Sequence, residues 1–181
     1  MPTIYDLKPA FQNLLRPITR YLADVGVTAN QVTLAAMILS FAGGLGVLLG
    51  HQLRWPLLLL PLVLFIRMAL NAIDGMLARE HDMKSDAGAI LNEVGDVVSD
   101  TALYLPMAMV VGISAPVVIV IVCLAIVSEM TGVVGVQIGA SRRYDGPMGK
   151  SDRAFVFSVL ALLAAFGFLP QPWIDFLLGI V

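Results

Sequence analysis

The 181-residue chain has a single cysteine, Cys123, so no disulfide within the chain is available to hold it together. Cys123 lies inside an apolar run and reads as a small core or lipid-facing residue. Charge is scarce, at 13% of residues, and nearly balanced, with a formal net charge of −2. The net charge itself says little, because its distribution carries the information; no nucleic-acid partner is expected. The opening residues MPTIYDLKPAF lack the apolar stretch of a cleavable signal, and none is expected at this end.

What the chain has in excess is apolar surface. Hydrophobic residues make up 59% of it, and the mean hydropathy is +0.88; soluble domains are closer to half apolar. Several runs approach the ~20 residues that cross a bilayer. The expected fold is all-α, with one domain over residues 1–181. It is a polytopic membrane helix bundle of about six transmembrane helices, the last short or truncated. An interfacial amphipathic helix over 6–23 precedes them, with Phe11, Leu14, Leu15, Ile18 and Leu22 on one face.

Local signals place the helices. Thr28 and Gln31 form a capping box that opens the first crossing helix, Gln31 to Leu49. The second runs from Pro56 to Arg79, the third from Ser85 or Asp86 to Val111, the fourth from Pro116 to Gly139 and the fifth from Ala154 to Leu169. Only WIDFLLGIV follows Pro172, too short to cross unaided. On the fourth helix, Ser128 with Gly132 and Gly135 with Gly139 give small-residue spacings that allow close helix approach, more often within a chain than between copies. Lys8, Arg16, Arg20, Arg79, Lys84, Arg142, Arg143, Lys150 and Arg153 share one side if every helix crosses. By the positive-inside rule that side is cytoplasmic.

The informative stretch is Asn71 to Asp100, NAIDGMLAREHDMKSDAGAILNEVGDVVSD. Between apolar flanks it carries Asp74, Glu80, Asp82, Asp86, Glu93, Asp96 and Asp100. Ionisable groups within a membrane are costly and mark function by default. Asn71 and Asp74 share one helix face. Asn92, Asp96 and Asp100 recur every four residues on the next helix. Two helical arms with oxygen ligands facing across a gap suit a hard cation, Mg²⁺ or Mn²⁺, that also holds substrate phosphates. If Asn71 faces Asp96, opposing residue numbers sum to roughly 167, within the slack of ~1.5 Å per residue. That register predicts an ion pair between Arg67 and Asp100, closing the floor of the site, with Glu129 as the alternative partner of Arg67.

The stretch resembles the signature of the CDP-alcohol phosphotransferases, D-x2-D-G-x2-A-R-x8-G-x3-D-x3-D. Asp74, Gly75, Ala78, Arg79, Gly88 and Asp96 match it in identity and spacing, while Asn71 and Asn92 stand where the pattern has aspartates. The resemblance implies transfer of a phosphatidyl or other phospho-alcohol group from a CDP-alcohol, with CDP-diacylglycerol as the expected donor. The acceptor is the hydroxyl of a second, polar alcohol, and CMP is released. It implies Asp96 as catalytic base and Asn71, Asp74, Asn92 and Asp96 as metal-ligand positions. Gly75, Ala78, Arg79 and Gly88 would line the nucleotide, joined by Asn30 and Thr33 from a stretch like the family's T-P-N-x-x-T, with Ala29 in place of the proline. Lys150 and Arg153, with a Gly-Lys-x-x-Arg arrangement similar to the family's, and Arg142 in the same basic loop, are the acceptor-binding candidates. A homodimer is implied, as is a bacterial or archaeal cytoplasmic (inner) membrane with the site facing the cytoplasm.

Asn71 and Asn92 supply carbonyl oxygens without formal charge, which lowers the expected metal affinity; Glu93, one turn from Asp96, is placed to compensate. A nucleotide-binding but catalytically weak homologue is therefore one alternative. An ion-coupled transporter built on Arg67, Asp96, Asp100 and Glu129 is another, although no internal repeat of the motif is visible. A purely structural subunit leaves the Asp74-to-Asp96 spacing unexplained.

Overall fold

Thr28 caps the first long apolar helix reciprocally, as the sequence predicts. Its Oγ1 accepts from the Gln31 amide at 3.3 Å, and Gln31 Oε1 accepts from the Thr28 amide at 2.9 Å. The computed structural model describes residues 8–140 and 149–168. Among these residues there are six α-helices and no strand: α1 (Lys8–Asp24), α2 (Ala29–Leu49), α3 (Arg54–Glu80), α4 (Asp86–Tyr104), α5 (Ala115–Gln137) and α6 (Lys150–Phe166). The short segment expected to follow Pro172 lies outside the described residues, as do Arg142 and Arg143.

Three helices, α2, α3 and α5, are long and apolar enough to cross a membrane. Their outward faces expose Ile38, Phe41, Leu62, Phe65, Leu124 and Val127. Apolar surface on this scale marks a lipid or partner contact, and for helices of this length lipid is the natural solvent. Cys123 is exposed on α5 rather than part of the core. The chain is a polytopic helical membrane protein.

Two boundaries differ from the sequence reading. The third crossing helix was expected to reach Val111, but α4 stops at Tyr104 and tightens into a 3-10 helix over Leu105–Met109. Pro106 has no amide to donate to the Ala102 carbonyl, which ends the α-helical ladder there. α6 begins at Lys150, a turn before the expected Ala154, because the Gly149 amide is held by Asp152 Oδ2 at 3.2 Å. Lys150 and Arg153 therefore sit on an ordered first turn rather than in a loop.

The packing departs further from a simple hairpin. α2 lies against both α3 and α4, α3 also carries α1 and α6, and α5 packs on α4 and the 3-10 segment. α3 and α4, although joined by the short loop 81–85, meet each other far less closely than either meets α2. Gly44 on α2 makes the tightest approach: a Cβ there would fall 1.9 Å from the Ala102 carbonyl. The small residues of α5 do not serve this purpose within the chain, since Gly132 faces open space and Gly135 meets only Ala140 of its own helix end.

Two apolar clusters result. One joins Val47, Leu60, Leu64, Leu103, Met107, Phe157 and Leu160; the other joins Leu15, Val32, Ile73, Met76 and Leu77. Along α3 the polar residues Arg67, Asn71 and Asp74 fall between the two. α1 does both things its amphipathic pattern allows. Leu15 is buried, with Phe11 and Leu22 packed beside it, while Leu14, Ile18 and Tyr21 remain exposed. Arg16 Nη2 reaches Glu80 at 3.1 Å and ties α1 to the end of α3. Both groups are exposed, so the pair contributes little to stability.

Candidate active site

The polar layer between the two clusters is built from α2, α3, α4, α5 and α6. Asp96 on α4 is its hub. Asn71 Nδ2 donates to Asp96 Oδ1 at 2.7 Å, and Arg67 Nη2 donates to the Asp96 carbonyl at 3.2 Å and to Oδ1 at 3.4 Å. The Lys150 ammonium contacts Asp96 Oδ2. Both oxygens of this carboxylate thus face nitrogen donors, from α3 on one side and α6 on the other.

Below Asp96, the register derived from the sequence holds. Arg67 Nη1 lies 2.5 Å from Asp100 Oδ1, an ion contact between the two arms of the hairpin. Arg153 Nη2 reaches Asp100 Oδ2 at 3.3 Å and Glu129 Oε1 at 2.8 Å. Lys150, Asp96, Arg67, Asp100, Arg153 and Glu129 therefore alternate in sign, three cations against three anions. Burying ions costs several kcal/mol each, and the alternation of sign offsets it, while Arg67 Nε and the Tyr104 hydroxyl stay buried without a hydrogen-bond partner among the described residues. Tyr104 caps this floor, buried and stacked on Phe157 with ring centroids 4.1 Å apart.

Asp74 stands apart from this network. It is buried on α3, and its Oδ2 accepts from Thr33 Oγ1 at 2.8 Å. The register expected Asp74 opposite Asn92, but the hydrogen bond goes to α2 instead. Asn92 is half-buried on α4, and its side chain makes no hydrogen bond among the described residues.

Of the expected nucleotide-lining residues, Gly88 and Asn30 are brought together, and Gly75 and Arg79 lie side by side on α3. A Cβ on Gly88 would fall 2.6 Å from Asn30 Oδ1 and 2.8 Å from Ser85 Oγ, so α4 starts directly against the start of α2. A Cβ on Gly75 would meet the Arg79 guanidinium at 3.1 Å, which places that side chain back over the helix beside Gly75. Ala78 is half-buried one turn beyond Asp74. Thr33 is buried and acts on Asp74, a role its spacing did not reveal. Of the acceptor candidates, Lys150 is partly exposed and touches Asp96, whereas Arg153 is buried in its pairs with Asp100 and Glu129. Arg142 lies outside the described residues. No local pattern flags the Lys150–Asp96 contact, because 54 residues separate the partners.

Asp74, Asp96 and the carbonyl oxygens of Asn71 and Asn92 are the hard donors that Mg²⁺ or Mn²⁺ takes. Among the described residues no three His, Cys, Asp or Glu side chains converge to hold a metal. Both oxygens of Asp96 meet nitrogen donors and Asp74 Oδ2 accepts from Thr33, so these positions do not form a cradle of carboxylates.

The fold and this layer define a helical membrane protein with a polar cluster at one end of a splayed helical hairpin. A sequence model of the CDP-alcohol phosphatidyltransferases matches residues 26–181, and the chain belongs to that family. It is 50% identical to "Inner membrane protein YnbA" of Escherichia coli, over 90% of this chain and 81% of that one. It is 27% identical to the phosphatidylinositol phosphate synthase of Mycolicibacterium smegmatis, over 96% of this chain and 79% of the relative. The fold is shared with the Mycobacterium tuberculosis phosphatidylinositol phosphate synthase crystallised with CDP-DAG bound. The TM-score is 0.72 at 22% identity, covering 90% of this chain and 85% of that one.

Proposed function

We propose that this chain transfers a phosphatidyl group from CDP-diacylglycerol to the hydroxyl of a polar alcohol, with release of CMP, as a step in phospholipid synthesis. The observation that carries the reading is the convergence of Asn71 and Lys150 on the Asp96 carboxylate, on the same helix that starts with Gly88 against Asn30. In this reading the acceptor oxygen attacks the phosphorus that bears the lipid. The bond from that phosphorus to the CMP oxygen breaks, and the acceptor proton passes to Asp96. Asn71, Asp74, Asn92 and Asp96 are the positions for Mg²⁺ or Mn²⁺, which when bound supplies neutralising charge for the pyrophosphate.

Asn30, Gly75, Ala78, Arg79 and Gly88 line the nucleotide, and Thr33 holds Asp74 in place beside it. Lys150 meets the acceptor, and Arg153 backs the pocket through Asp100 and Glu129. A cation in this position favours an acceptor that carries its own phosphate, in keeping with the phosphatidylinositol phosphate synthases among its relatives. In this reading the protein works as a homodimer in a bacterial or archaeal cytoplasmic membrane, with this end toward the cytoplasm, the side the basic residues favour.

The test is release of CMP from radiolabelled CDP-diacylglycerol by the purified protein, against a panel of alcohols with and without phosphate. Turnover with one acceptor class and loss in Asp96→Asn supports the reading. CDP binding without CMP release for any acceptor would leave a binding protein instead.

A further inference from the structure

In the ionic floor beneath Asp96, one polar group has no part in the reaction described above. The Tyr104 side chain is 1% exposed, and its ring is held by stacking on Phe157. Its hydroxyl makes no hydrogen bond among the described residues. A buried hydroxyl left unpaired is costly, and nearly all such groups find a partner. Phenylalanine would fill the same space without a polar atom, so the hydroxyl itself needs an account.

Tyr104 lines a small cavity between α4 and α5, together with Asp100 and Thr101 from α4 and Glu129 from α5. Val122 and Ala125 close it on the α5 side. The space open to the centre of a water-sized sphere is about 10 Å³. One water needs ~10–15 Å³ on that measure, so the cavity has room for one molecule and no more. Apolar voids stay dry, whereas a buried water is stable where it finds roughly two to four polar partners. This cavity is bordered by four polar side chains.

Their donors and acceptors match a water. The Tyr104 hydroxyl has a proton to give. Asp100 Oδ1 has the ion contact of Arg67 and no hydrogen bond, which leaves lone pairs on a buried carboxylate. Thr101 Oγ1 gives its proton to the Val97 carbonyl at 2.8 Å, so toward the cavity it can only accept. The Glu129 carboxylate accepts as well. One donor therefore stands beside three acceptors, and a molecule that accepts once and donates twice joins them. A cation does not suit the place. Lys150, Arg67 and Arg153 already balance Asp96, Asp100 and Glu129, and a cation cannot accept the tyrosine proton.

We infer that this cavity binds one structural water, which accepts from the Tyr104 hydroxyl and donates to the carboxylates of Asp100 and Glu129. The water ties α4 to α5 below Asp96 and steadies Asp100 between Arg67 and Arg153. Tyr104 is then a polar member of the floor rather than an apolar plug. None of this depends on the transfer reaction proposed above.

Two measurements on the full-length protein test it. The first is a crystal structure grown from a lipid phase, at a resolution that shows ordered water. A single peak is expected in the cavity, about 2.5–3.0 Å from Tyr104 Oη and from a carboxylate oxygen. A dry cavity, an acyl chain within it, or a Tyr104 hydroxyl bonded directly to a protein atom would overturn the inference. The second is the thermal midpoint of Tyr104→Phe in detergent. With water bound, the variant takes away its donor, and the midpoint falls by about 2–4 °C, the shift that one lost hydrogen bond makes in a chain of this size. Were the hydroxyl unpaired, the same change would remove a buried polar atom at no loss. A midpoint that holds or rises therefore also overturns the inference. The wild-type density decides even where Tyr104→Phe fails to fold.

Discussion

Arg67 on α3 and Asp100 on α4 meet at 2.5 Å across a hairpin whose two helices otherwise keep apart. The contact is buried on both sides, at 4% and 6% side-chain exposure, so salt and water screen it little. Its loss leaves an uncompensated ion, which typically costs ~3–5 kcal/mol. Arg67→Leu is expected to lower the thermal midpoint in detergent sharply. Arg67→Leu with Asp100→Leu is expected to recover much of the loss, because Arg153 keeps Glu129 as its counter-ion. A double variant no more stable than Arg67→Leu would mean that Asp100 is held by Arg153 rather than by Arg67.

Asp96→Asn keeps the shape of the hub but cannot take a proton. CMP release is expected to fall by ~10²–10⁴-fold, the usual range for a lost general base. Size-exclusion behaviour and CDP binding should survive, since the amide oxygen still accepts from Asn71 and Arg67. A rate within about tenfold of wild type would remove Asp96 from the role of base.

Thr33→Val takes the hydroxyl from the buried Asp74 carboxylate and leaves the shape of the side chain nearly unchanged. An unsatisfied buried acceptor costs ~1–3 kcal/mol. Chemical denaturation should register a loss of that size for Thr33→Val and little for Thr33→Ser. The Mn²⁺ dissociation constant should also weaken in the valine variant alone, because Asp74 is no longer held in one orientation. Equal behaviour of the two variants would show that the hydroxyl is idle.

Gly44→Ala drives a methyl carbon into the Ala102 carbonyl, with 1.9 Å between them if nothing moves. Backbone cannot swing aside as a side-chain tip does, so α2 and α4 must separate. Overpacking of this kind costs typically ~1–3 kcal/mol, and the thermal midpoint should fall accordingly. Gly132→Ala on the open face of α5 is the control, and its midpoint in dilute detergent should match the wild type.

Much of this molecule is legible along the chain. The Thr28–Gln31 box, the apolar spans and the end of the second crossing helix follow from rules that act within a few residues, and their partners sit a turn apart. The signature from Asn71 to Asp96 identifies the family for the same reason, since it lies on two helix faces joined by one short loop. That short loop also made the Arg67–Asp100 pair predictable, because it restricts the register between the two arms. Periodicity therefore determined the fold class, the membrane setting and the hairpin's polar face.

Three further contacts depend on tertiary structure alone. Thr33 reaches Asp74 across 41 residues, Arg153 reaches Asp100 across 53, and Lys150 reaches Asp96 from the same early-starting helix. Nothing in local spacing distinguishes a lysine that binds substrate from one that neutralises a buried aspartate. The choice is made by the way α2 and α6 seat their apolar faces on α3, with Val32, Met76 and Leu77 in one shared cluster and Phe157, Leu160, Leu60 and Leu64 in the other. Burial of those side chains sets where each helix begins relative to the polar layer, and hence which carboxylate each cation can reach.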